Sequence, residues 1–206
     1  MFSPAASCQT LGFRKETLRE LYKMLSGWVI KEQINDENIK GKFGGENVIV
    51  EMDESCFFGR KNNKGRILKQ IWAFGFVERG SGRLYAQTVN KRDRNNLIPI
   101  TRKWIGPDCK MIVTDEWKPY KILTKLGYKH ETIKHKENFV SQSNPEVHTQ
   151  TIENRWGVIK AKMKKRGKFS RDLFTMQLKE IIWRILNKNL IQEKLLEIIK
   201  KYSYDV

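Results

Sequence analysis

Two apolar runs that end on acidic side chains constrain the fold of this chain more than any other feature. In "VIVEMDES", residues 48–55, apolar Val48, Val50 and Met52 alternate with Ile49, Glu51 and Asp53, so one face is apolar while the other becomes acidic. Glycines precede this run and the turn-like "GRKNNKGR" follows it, which is typical of a buried β-strand. The run "CKMIVTDEW" has the same design and ends on Asp115 and Glu116. The sequence therefore predicts two core strands with carboxylates at their ends.

The overall charge indicates the kind of partner. The 206 residues suffice for one domain with a sizeable core, and 40 Lys and Arg against 23 Asp and Glu give a net charge of +17. Such an excess favours a polyanionic partner, and nucleic acid is the expected one. No segment resembles a membrane span or a basic amphipathic anchor, so a membrane partner is not expected.

The cysteines and the first residues bear on the compartment. Cys8, Cys56 and Cys109 are odd in number and widely spaced, which indicates neither a disulfide framework nor a zinc knuckle. The first residues lack the charged region and apolar run of a signal peptide. We therefore expect three reduced thiols in a soluble, intracellular protein, in the nucleus if the host is eukaryotic and otherwise in the cytoplasm with DNA.

The segment before the acidic strands is predicted to be helical. Residues 13–34 repeat apolar side chains at helical spacing, with an interruption near Ser26 and Gly27, which indicates one or two short helices. A polar, glycine-bearing connector follows. We assign residues 1–43 to an N-terminal helical segment, interpreted either as a remnant of a DNA-binding region or, more simply, as a pair of packing helices.

The remaining elements alternate between strands and helices. Two β-rich runs joined by "GSG" predict a hairpin. "NNLIPITRKWI" fits a short helix with Pro99 near its start, and "KPYKILTKLG" fits a helix that ends at Gly127. "YKHETIKH" fits a short edge strand. From Thr149 onward the pattern is helical, with breaks at "RGKFSRD" and near Asn187.

This order of elements predicts the fold class. A meander of three strands followed by alternating helices and strands implies an α/β protein with a mixed sheet of about five strands, covered by helices on both faces. The order suits an RNase H-like core. We assign the core to residues 44–187 and a helical tail to residues 188–206.

A third acidic residue, Glu153, lies in the first turn of the helix that follows Thr149. An Asp at a strand end can be a turn residue, and a Glu early in a helix is favourable to the helix dipole. Together, however, carboxylates on two strand ends and on a covering helix supply the oxygen ligands that Mg²⁺ prefers. Two such ions about 3.5–4 Å apart can activate the attacking oxygen and stabilise the leaving oxygen at a phosphodiester. Asp53, Asp115 and Glu153 are thus the predicted metal ligands.

Several blocks of the sequence resemble, in order, those of DDE-type transposases. These blocks are "GGENVIVEMDES", "IWAFGFVERGSGRLYAQTV", "IVTDEWKPYKILTKLGYKH", "VHTQTIENRWGVIK" and "EIIWRILN". The resemblance is nearest to the ISXO-type insertion-sequence transposases and the Merlin elements. It implies an RNase H-like fold, two Mg²⁺ ions with Mn²⁺ as a substitute, and DNA cleavage followed by strand transfer. Residue by residue, it assigns the catalytic acids to Asp53, Asp115 and Glu153.

Further residues of the last helical block are predicted to meet DNA. His148, five residues before Glu153, either orients a ligand or contacts DNA, unless it is an ordinary helix-entry residue. The predicted DNA-binding side chains are Arg155, Lys160, Lys162, Lys164, Lys165 and Arg166. A solvated basic helix face is the alternative. The helix is expected to pack on the sheet through Ile152, Trp156, Ile159 and Met163. A neighbouring stripe of Glu153, Gly157, Lys160 and Lys164 then turns toward the two aspartates.

Three functions remain open at this point. The first is a transposase acting on transposon ends and target DNA, with a homo-oligomer in a synaptic complex. Residues 1–43 are shorter than the end-recognition region of active relatives, so a decayed or host-adopted, non-catalytic DNA-binding derivative is the second. A basic, ribosome-associated RNA-binding protein fits the charge but leaves the acidic strand ends unexplained.

Overall fold

The chain is described here by a computed structural model, over residues 12, 14–35, 41–57, 70–133, 145–166 and 171–203. The strands are β1 (Ile49–Phe57), β2 (Ile71–Glu78), β3 (Leu84–Val89), β4 (Met111–Asp115) and β5 (His130–Ile133). The helices are α1 (Lys15–Asn35), α2 (Arg94–Trp104), α3 (Gln150–Arg166), α4 (Arg171–Leu186) and α5 (Ile191–Ser203). Two short 3-10 segments, Lys118–Ile122 and Thr124–Leu126, follow β4.

The five strands form one mixed sheet in the order β3-β2-β1-β4-β5. β1, β2 and β3 form an antiparallel meander, whereas β4 pairs in parallel with both β1 and β5. Crossover connections through α2 and the 3-10 segments make these parallel pairings feasible. The fold is RNase H-like, a five-stranded mixed sheet flanked by helices, as the sequence predicts.

The alternation of side chains along β1 explains how helices cover both faces. Val50 and Met52 are fully buried in a cluster with residues of α2 and the 3-10 segments, among them Leu97 and Tyr120. Phe57 points to the opposite face, into a second cluster. The side chains of α3 in that cluster are the predicted apolar stripe, Ile152, Trp156, Ile159 and Met163. The predicted packing face of α3 is therefore confirmed.

The predicted break near Ser26 and Gly27 does not occur, because α1 runs unbroken through both residues. The Ser26 hydroxyl donates to Glu180 of α4 at 3.0 Å, and Val29 packs in a buried cluster with Trp183 of α4. Glycine in a helix interior costs about 1 kcal/mol relative to alanine. Tertiary packing along α1 offsets that cost.

The prediction that Pro99 lies near the start of its helix is wrong. α2 begins five residues earlier, at Arg94, because the Asp93 side chain accepts a hydrogen bond from the backbone N–H of Asn96 at 3.0 Å and caps the helix. Pro99 lies inside α2 on an exposed position. Water can therefore bind the carbonyl of Asn95, which the proline leaves without its helical partner.

The helix predicted before Gly127 forms two 3-10 segments instead. Tyr120 and Leu123, three residues apart, are both fully buried, and three residues per turn keep them on one face. Gly127 ends the second segment in the left-handed conformation, with φ of 88°, as its position predicts.

The remaining sequence-based expectations divide between described and undescribed residues. The "GSG" hairpin turn, the edge strand β5 and the break near Asn187 are all present. The segment "GRKNNKGR", most of the break at "RGKFSRD", His135 and Cys8 lie outside the described residues. Cys56 and Cys109 form no disulfide within the described part of the chain. None of the described helices is both long and apolar enough to span a bilayer.

Candidate active site

Asp53 and Asp115 lie side by side on the two central parallel strands. The pairing of β1 with β4 aligns Glu51 with Val113. Two residues further along each strand, the same register brings Asp53 level with Asp115. Aligned residues of neighbouring strands project from the same face, with strands about 4.8 Å apart. The two carboxylates therefore lie next to each other at the centre of the sheet, on the face that α3 covers.

A glycine opposite Asp53 lets α3 approach this position closely. Asp53 pairs with Gly75 of β2, and a Cβ atom on Gly75 would lie 2.9 Å from the indole of Trp156 and from the Cβ of Ala86. The Trp156 ring thus rests on bare backbone beside Asp53. Glu153, three residues earlier, lies on the neighbouring turn of the same side of α3. The close packing of Trp156 on Gly75 therefore determines how far Glu153 lies from the face of the sheet that carries Asp53 and Asp115.

A buried ion pair fixes the start of α3 to the sheet. Glu51 is 0% exposed, and one of its carboxylate oxygens accepts the backbone N–H of Ile152 at 2.9 Å. The other oxygen accepts from Nε of Arg79 at 2.6 Å. Arg79 also donates to the backbone carbonyls of Glu146 and His148, the latter at 2.6 Å. The charge of Glu51 is balanced by a guanidinium and by the positive end of the helix dipole.

Glu153 lies on the same face, but its carboxylate is engaged locally. The Thr149 hydroxyl donates to Glu153 Oε1 at 2.6 Å, and the backbone N–H of Glu153 bonds the Thr149 carbonyl at 3.1 Å. Within the described ranges, no group of three His, Cys, Asp or Glu side chains stands close enough to hold a metal ion. The structure thus brings Asp53 and Asp115 together and places Glu153 on the helix that covers them. The three carboxylates do not form a group that could hold a metal ion.

The chemistry of the donors fits a hard divalent cation. The pKa of Glu54 is raised to about 7, chiefly by burial and also by the charges of Asp53 and Asp115, while the Tyr120 hydroxyl and Arg92 act to lower it. The pKa of Tyr120 is also raised well above its ordinary value, first by burial and then by Glu54. Repulsion from the aspartate pair is therefore part of the reason why the charged form of Glu54 is disfavoured. A divalent cation bound by carboxylate oxygens relieves such repulsion.

The two histidines that the structure describes both lie close to polar neighbours. Nδ1 of His148 lies 3.4 Å from Glu51, and burial, followed by the charge of Arg79, lowers the pKa of His148. His130 on β5 shares a 2.8 Å hydrogen bond with the Thr114 hydroxyl, and burial lowers its pKa. His148 therefore belongs to the network that fixes α3, close to the acids.

The predicted basic residues of α3 divide into two groups. The exposed ones are Lys160, Lys162, Lys164 and Lys165. The ammonium of Lys160 lies 5.7 Å from the ring centroid of Phe57, beside the end of β1. Arg166 instead donates to both carboxylate oxygens of Glu180 on α4, at 2.9 and 3.1 Å. Arg155 lies next to Gly82 in the β2–β3 turn, where an added Cβ would be 3.3 Å from its guanidinium.

Sequence reasoning missed the residues that support the acids. Glu51 shares the inward face of β1 with Asp53, so the alternation already demanded a partner for a buried carboxylate. That partner, Arg79, is 28 residues away and gave no local signal. Gly75 stood in the middle of a predicted strand, where an isolated glycine indicates close approach of another element.

The order of the sheet and the paired aspartates beneath a covering helix define a protein of the RNase H-like class. The ISXO2-like transposase domain family matches residues 43–185. The chain belongs to this family, which confirms the resemblance to DDE transposases.

Relatives with known sequences or structures are more distant. An uncharacterized transposase-like protein of Haemophilus influenzae is 27% identical over 108 residues, 52% of this chain and 85% of that protein. A chain of the simian T-cell lymphotropic virus intasome, solved with the PP2A regulatory subunit B56 gamma, is 17% identical with a TM-score of 0.45. That match covers 70% of this chain and 50% of the other.

A second structural relative is the HTLV-2 integrase catalytic core domain in complex with magnesium, in its dimeric form. It is 14% identical over 68% of this chain and 86% of the other, with a TM-score of 0.43. Both structural similarities are weak. The fold assignment therefore depends on the sheet topology described above.

Proposed function

We propose that this chain is the catalytic domain of a DDE transposase. In this function it cleaves DNA at transposon ends and joins the freed end to target DNA by metal-dependent transesterification. The observation that carries the proposal is the alignment of Asp53 with Asp115 on adjacent parallel strands, beneath the helix that bears Glu153. Membership of the transposase family supports the same reaction class.

Asp53, Asp115 and Glu153 are the proposed ligands of two Mg²⁺ ions, which Mn²⁺ can replace. When bound, such ions supply Lewis acidity at the scissile phosphate. The chain's own contribution is placement. The two aspartates project from rigid strands, and the Glu51–Arg79 pair holds the start of α3 against the sheet. For Glu153 to serve as a ligand, its carboxylate would have to exchange the hydrogen bond from Thr149 for the metal.

DNA binding is proposed to follow the exposed lysines of α3 and the excess charge of the whole chain. Phosphate neutralisation releases counterions, so we expect affinity to fall steeply with salt and to be nearly independent of sequence. Joining two transposon ends requires two catalytic centres, so the proposal includes a homo-oligomer in a synaptic complex. His148, Arg155 and Arg166 are retained as candidate contacts, although Arg166 is paired with Glu180 and Nδ1 of His148 lies 3.4 Å from Glu51.

We propose residues 44–187 as the catalytic unit, with residues 1–43 and 188–206 as helical additions. The two additions meet each other, because Trp28 of α1 stacks on Tyr202 of α5 with ring centroids 5.8 Å apart. The hydroxyl of Tyr202 also donates to Glu32 at 2.8 Å. These contacts support a role in stabilising the α4 side of the core.

The test is a comparison of two acids that are neighbours in the chain. We expect the unmodified protein to nick plasmid DNA with Mg²⁺ or Mn²⁺, and Asp115→Asn to lower the rate by about a thousandfold or more, since metal ions supply several kcal/mol of transition-state stabilisation. Glu116→Gln makes the equivalent change at the next, exposed residue and should leave the rate unaltered. Equal cleavage by the Asp115→Asn variant would show the site assignment to be wrong.

A non-catalytic DNA-binding derivative is the second candidate. The observation that favours it is the local hydrogen bond of Glu153, together with the lack of a three-ligand group in the described portion of the chain. Under this function the unmodified protein binds DNA with a steep salt dependence and shows no metal-dependent nicking. Thr149→Val, which removes the hydrogen bond from the Thr149 hydroxyl to Glu153, should then fail to produce cleavage.

A further inference from the structure

We propose that Trp117, Arg92 and Trp72 form a stacking site for one unpaired nucleobase of the DNA strand that enters the aspartate pair. The inference deepens the proposed function, because it names a base contact beside the proposed cleavage site. It concerns residues outside the acid set and outside the basic face of α3.

Trp117 is tied directly to one of the two aspartates. It lies two residues after Asp115, and its backbone N–H donates to Asp115 Oδ1 at 3.0 Å. Its indole N–H donates to the carbonyl of Arg92 at 3.0 Å. The polar atom of the ring is therefore occupied within the protein, while the side chain remains 40% exposed. What Trp117 offers to a ligand is a flat aromatic surface at a fixed distance from the acid.

The guanidinium of Arg92 extends this surface. Its Cζ atom lies 3.6 Å from the ring centroid of Trp72 and 5.1 Å from that of Trp117. A guanidinium over an indole face is favourable, and both groups are planar. Two indoles and a cation thus form one continuous stack that begins at β2 and ends next to Asp115.

The surroundings of the stack select a nucleic acid as its occupant. Exposed cationic residues flank its members in the chain, namely Lys91, Arg94 and Lys118. Phosphates match such cations, and bases match aromatic faces, with about 1–3 kcal/mol for each stacked base. Among the described residues, the other large exposed apolar side chains, such as Leu196 on α5, are not aromatic. A polymer that alternates phosphate with flat rings therefore fits this surface best.

The base must be unpaired. A base inside a duplex is already stacked on both faces and becomes available only when it frays or flips out. Because Trp117 is hydrogen-bonded to Asp115, the captured base belongs to the strand close to the scissile phosphate. The site would hold that strand open and in register with the two aspartates.

The test measures binding without metal, so that it does not depend on cleavage. Three fluorescent hairpin duplexes are compared in EDTA: one blunt, one with a single-nucleotide 3′ overhang, and one with the same overhang lacking its base. We expect the unmodified protein to bind the overhang about tenfold more tightly than the abasic form, the lower part of the stacking range. Trp117→Ala should abolish this difference while blunt-duplex affinity stays within about twofold.

Two further variants keep the result interpretable. Trp117→Phe retains an aromatic face without the indole N–H and should keep most of the base-dependent difference, even if Trp117→Ala is poorly folded. Leu196→Ala removes a side chain that is 57% exposed on α5 and should change nothing. Two results would overturn the inference. In the first, Trp117→Ala weakens binding to all three duplexes by the same factor. In the second, removal of the base and Trp117→Ala weaken binding independently, so that their free-energy losses add.

The outcome separates this inference from the proposed function. A protein that cleaves DNA but shows no base-dependent difference contradicts the stacking site alone. A protein that shows the difference but never cleaves contradicts the catalytic proposal and retains the stacking site. A change in oligomeric state in place of the base effect would assign Trp117 to a protein interface and would also overturn the inference.

Discussion

Two groups of carboxylates on β1, Glu51 alone and Asp53 with Glu54, lie within four residues of each other. They differ in how their negative charge is balanced. Glu51 is fully buried and receives a guanidinium and a helix N-terminus, with His148 beside it. Glu54 shares the next stretch of strand with Asp53 and faces further negative charge from Asp115, so its pKa is raised by burial and by both aspartates. The first group is a structural anchor. In the second group the carboxylates repel one another, and a bound cation can relieve that repulsion.

The difference shows why an acid in a core strand is ambiguous until its partners are known. A buried carboxylate that is fully bonded stabilises one arrangement of the chain. Its removal leaves its buried partners without a compensating charge or hydrogen-bond acceptor, which lowers stability. A group of carboxylates that repel one another reduces stability until a ligand arrives, which is a common property of functional sites. We therefore expect neutralising substitutions at the two groups to have opposite effects on stability in the absence of metal.

The largest expected effect on stability is at the anchor. Glu51→Ala removes the partner of Arg79 and of the Ile152 N–H, and it should lower the free energy of unfolding by about 3–5 kcal/mol, the usual cost of breaking a buried pair. Denaturant unfolding measured in EDTA checks this. Glu51→Gln keeps an acceptor oxygen and should cost less. A loss below about 1 kcal/mol for the alanine variant would show that the network does not anchor α3.

The second effect has the opposite sign and depends on pH. The pKa of Glu54 is raised from its ordinary value of 4.5 to about 7, so the native state binds its proton more tightly than the unfolded state does. Its contribution therefore destabilises the fold progressively as pH rises from 4.5 to 7, by about 3 kcal/mol at most. Glu54→Gln should raise stability at pH 8 and have little effect at pH 4, as measured in EDTA.

The control for this pH profile is Glu116→Gln, which neutralises an exposed acid nearby and should leave the profile unaltered. Added Mg²⁺ should stabilise the unmodified protein more at pH 8 than at pH 5, because the cation relieves repulsion only among ionised carboxylates. A flat difference between Glu54→Gln and the unmodified protein across this range would contradict the raised pKa of Glu54.

A third change alters distance without altering any charge. Gly75→Ala introduces a Cβ atom 2.9 Å from the Trp156 ring and from Ala86, and it should lower the free energy of unfolding by about 1–3 kcal/mol through overpacking. It should also reduce cleavage at temperatures where the variant is folded, since α3 and Glu153 move away from Asp53. Gly27→Ala, in open space on α1, is the matched control and should be neutral or stabilising.

The smallest expected effect on stability is at Gly157 of α3. An added Cβ atom there meets nothing within 4 Å, so Gly157→Leu should fold normally and gain roughly 0.8 kcal/mol from helix propensity. If the stripe that carries Glu153 and Lys160 faces the DNA, nicking should fall sharply although stability holds. Unaltered nicking would instead show that this stripe faces away from the substrate.

Much of the sheet could be predicted because its information is local. The acidic strand ends and the order of strands follow from alternation and turn residues, and the packing stripe of α3 follows from helical spacing. Asp53 and Asp115 could be grouped because both end apolar strands and both offer the oxygen ligands that Mg²⁺ prefers, whereas the parallel pairing of their strands is seen only in the structure. The described side chains of the stripe, such as Trp156, have the predicted burial.

The remainder depended on contacts between distant residues. The break expected at Gly27 was removed by packing on α4, and the interior position of Pro99 followed from a cap formed by Asp93. The local engagement of Glu153 by Thr149 could not be read from spacing, because both a capping role and a ligand role place a Glu there. The sequence therefore indicated which residues are acids but not which acids are already bonded.

The hydrogen bond between Glu51 and Ile152 joins residues 101 positions apart. This separation in sequence determines the order in which β1 and α3 fold. Closing so long a loop is slow, so α3 docks late relative to the β1–β2 hairpin. During synthesis at about 5–20 residues per second, β1 exists for several seconds before α3 has been made. A chain still on the ribosome therefore carries its aspartates without their helix, and under the proposed function it cannot yet cut the DNA that encodes it.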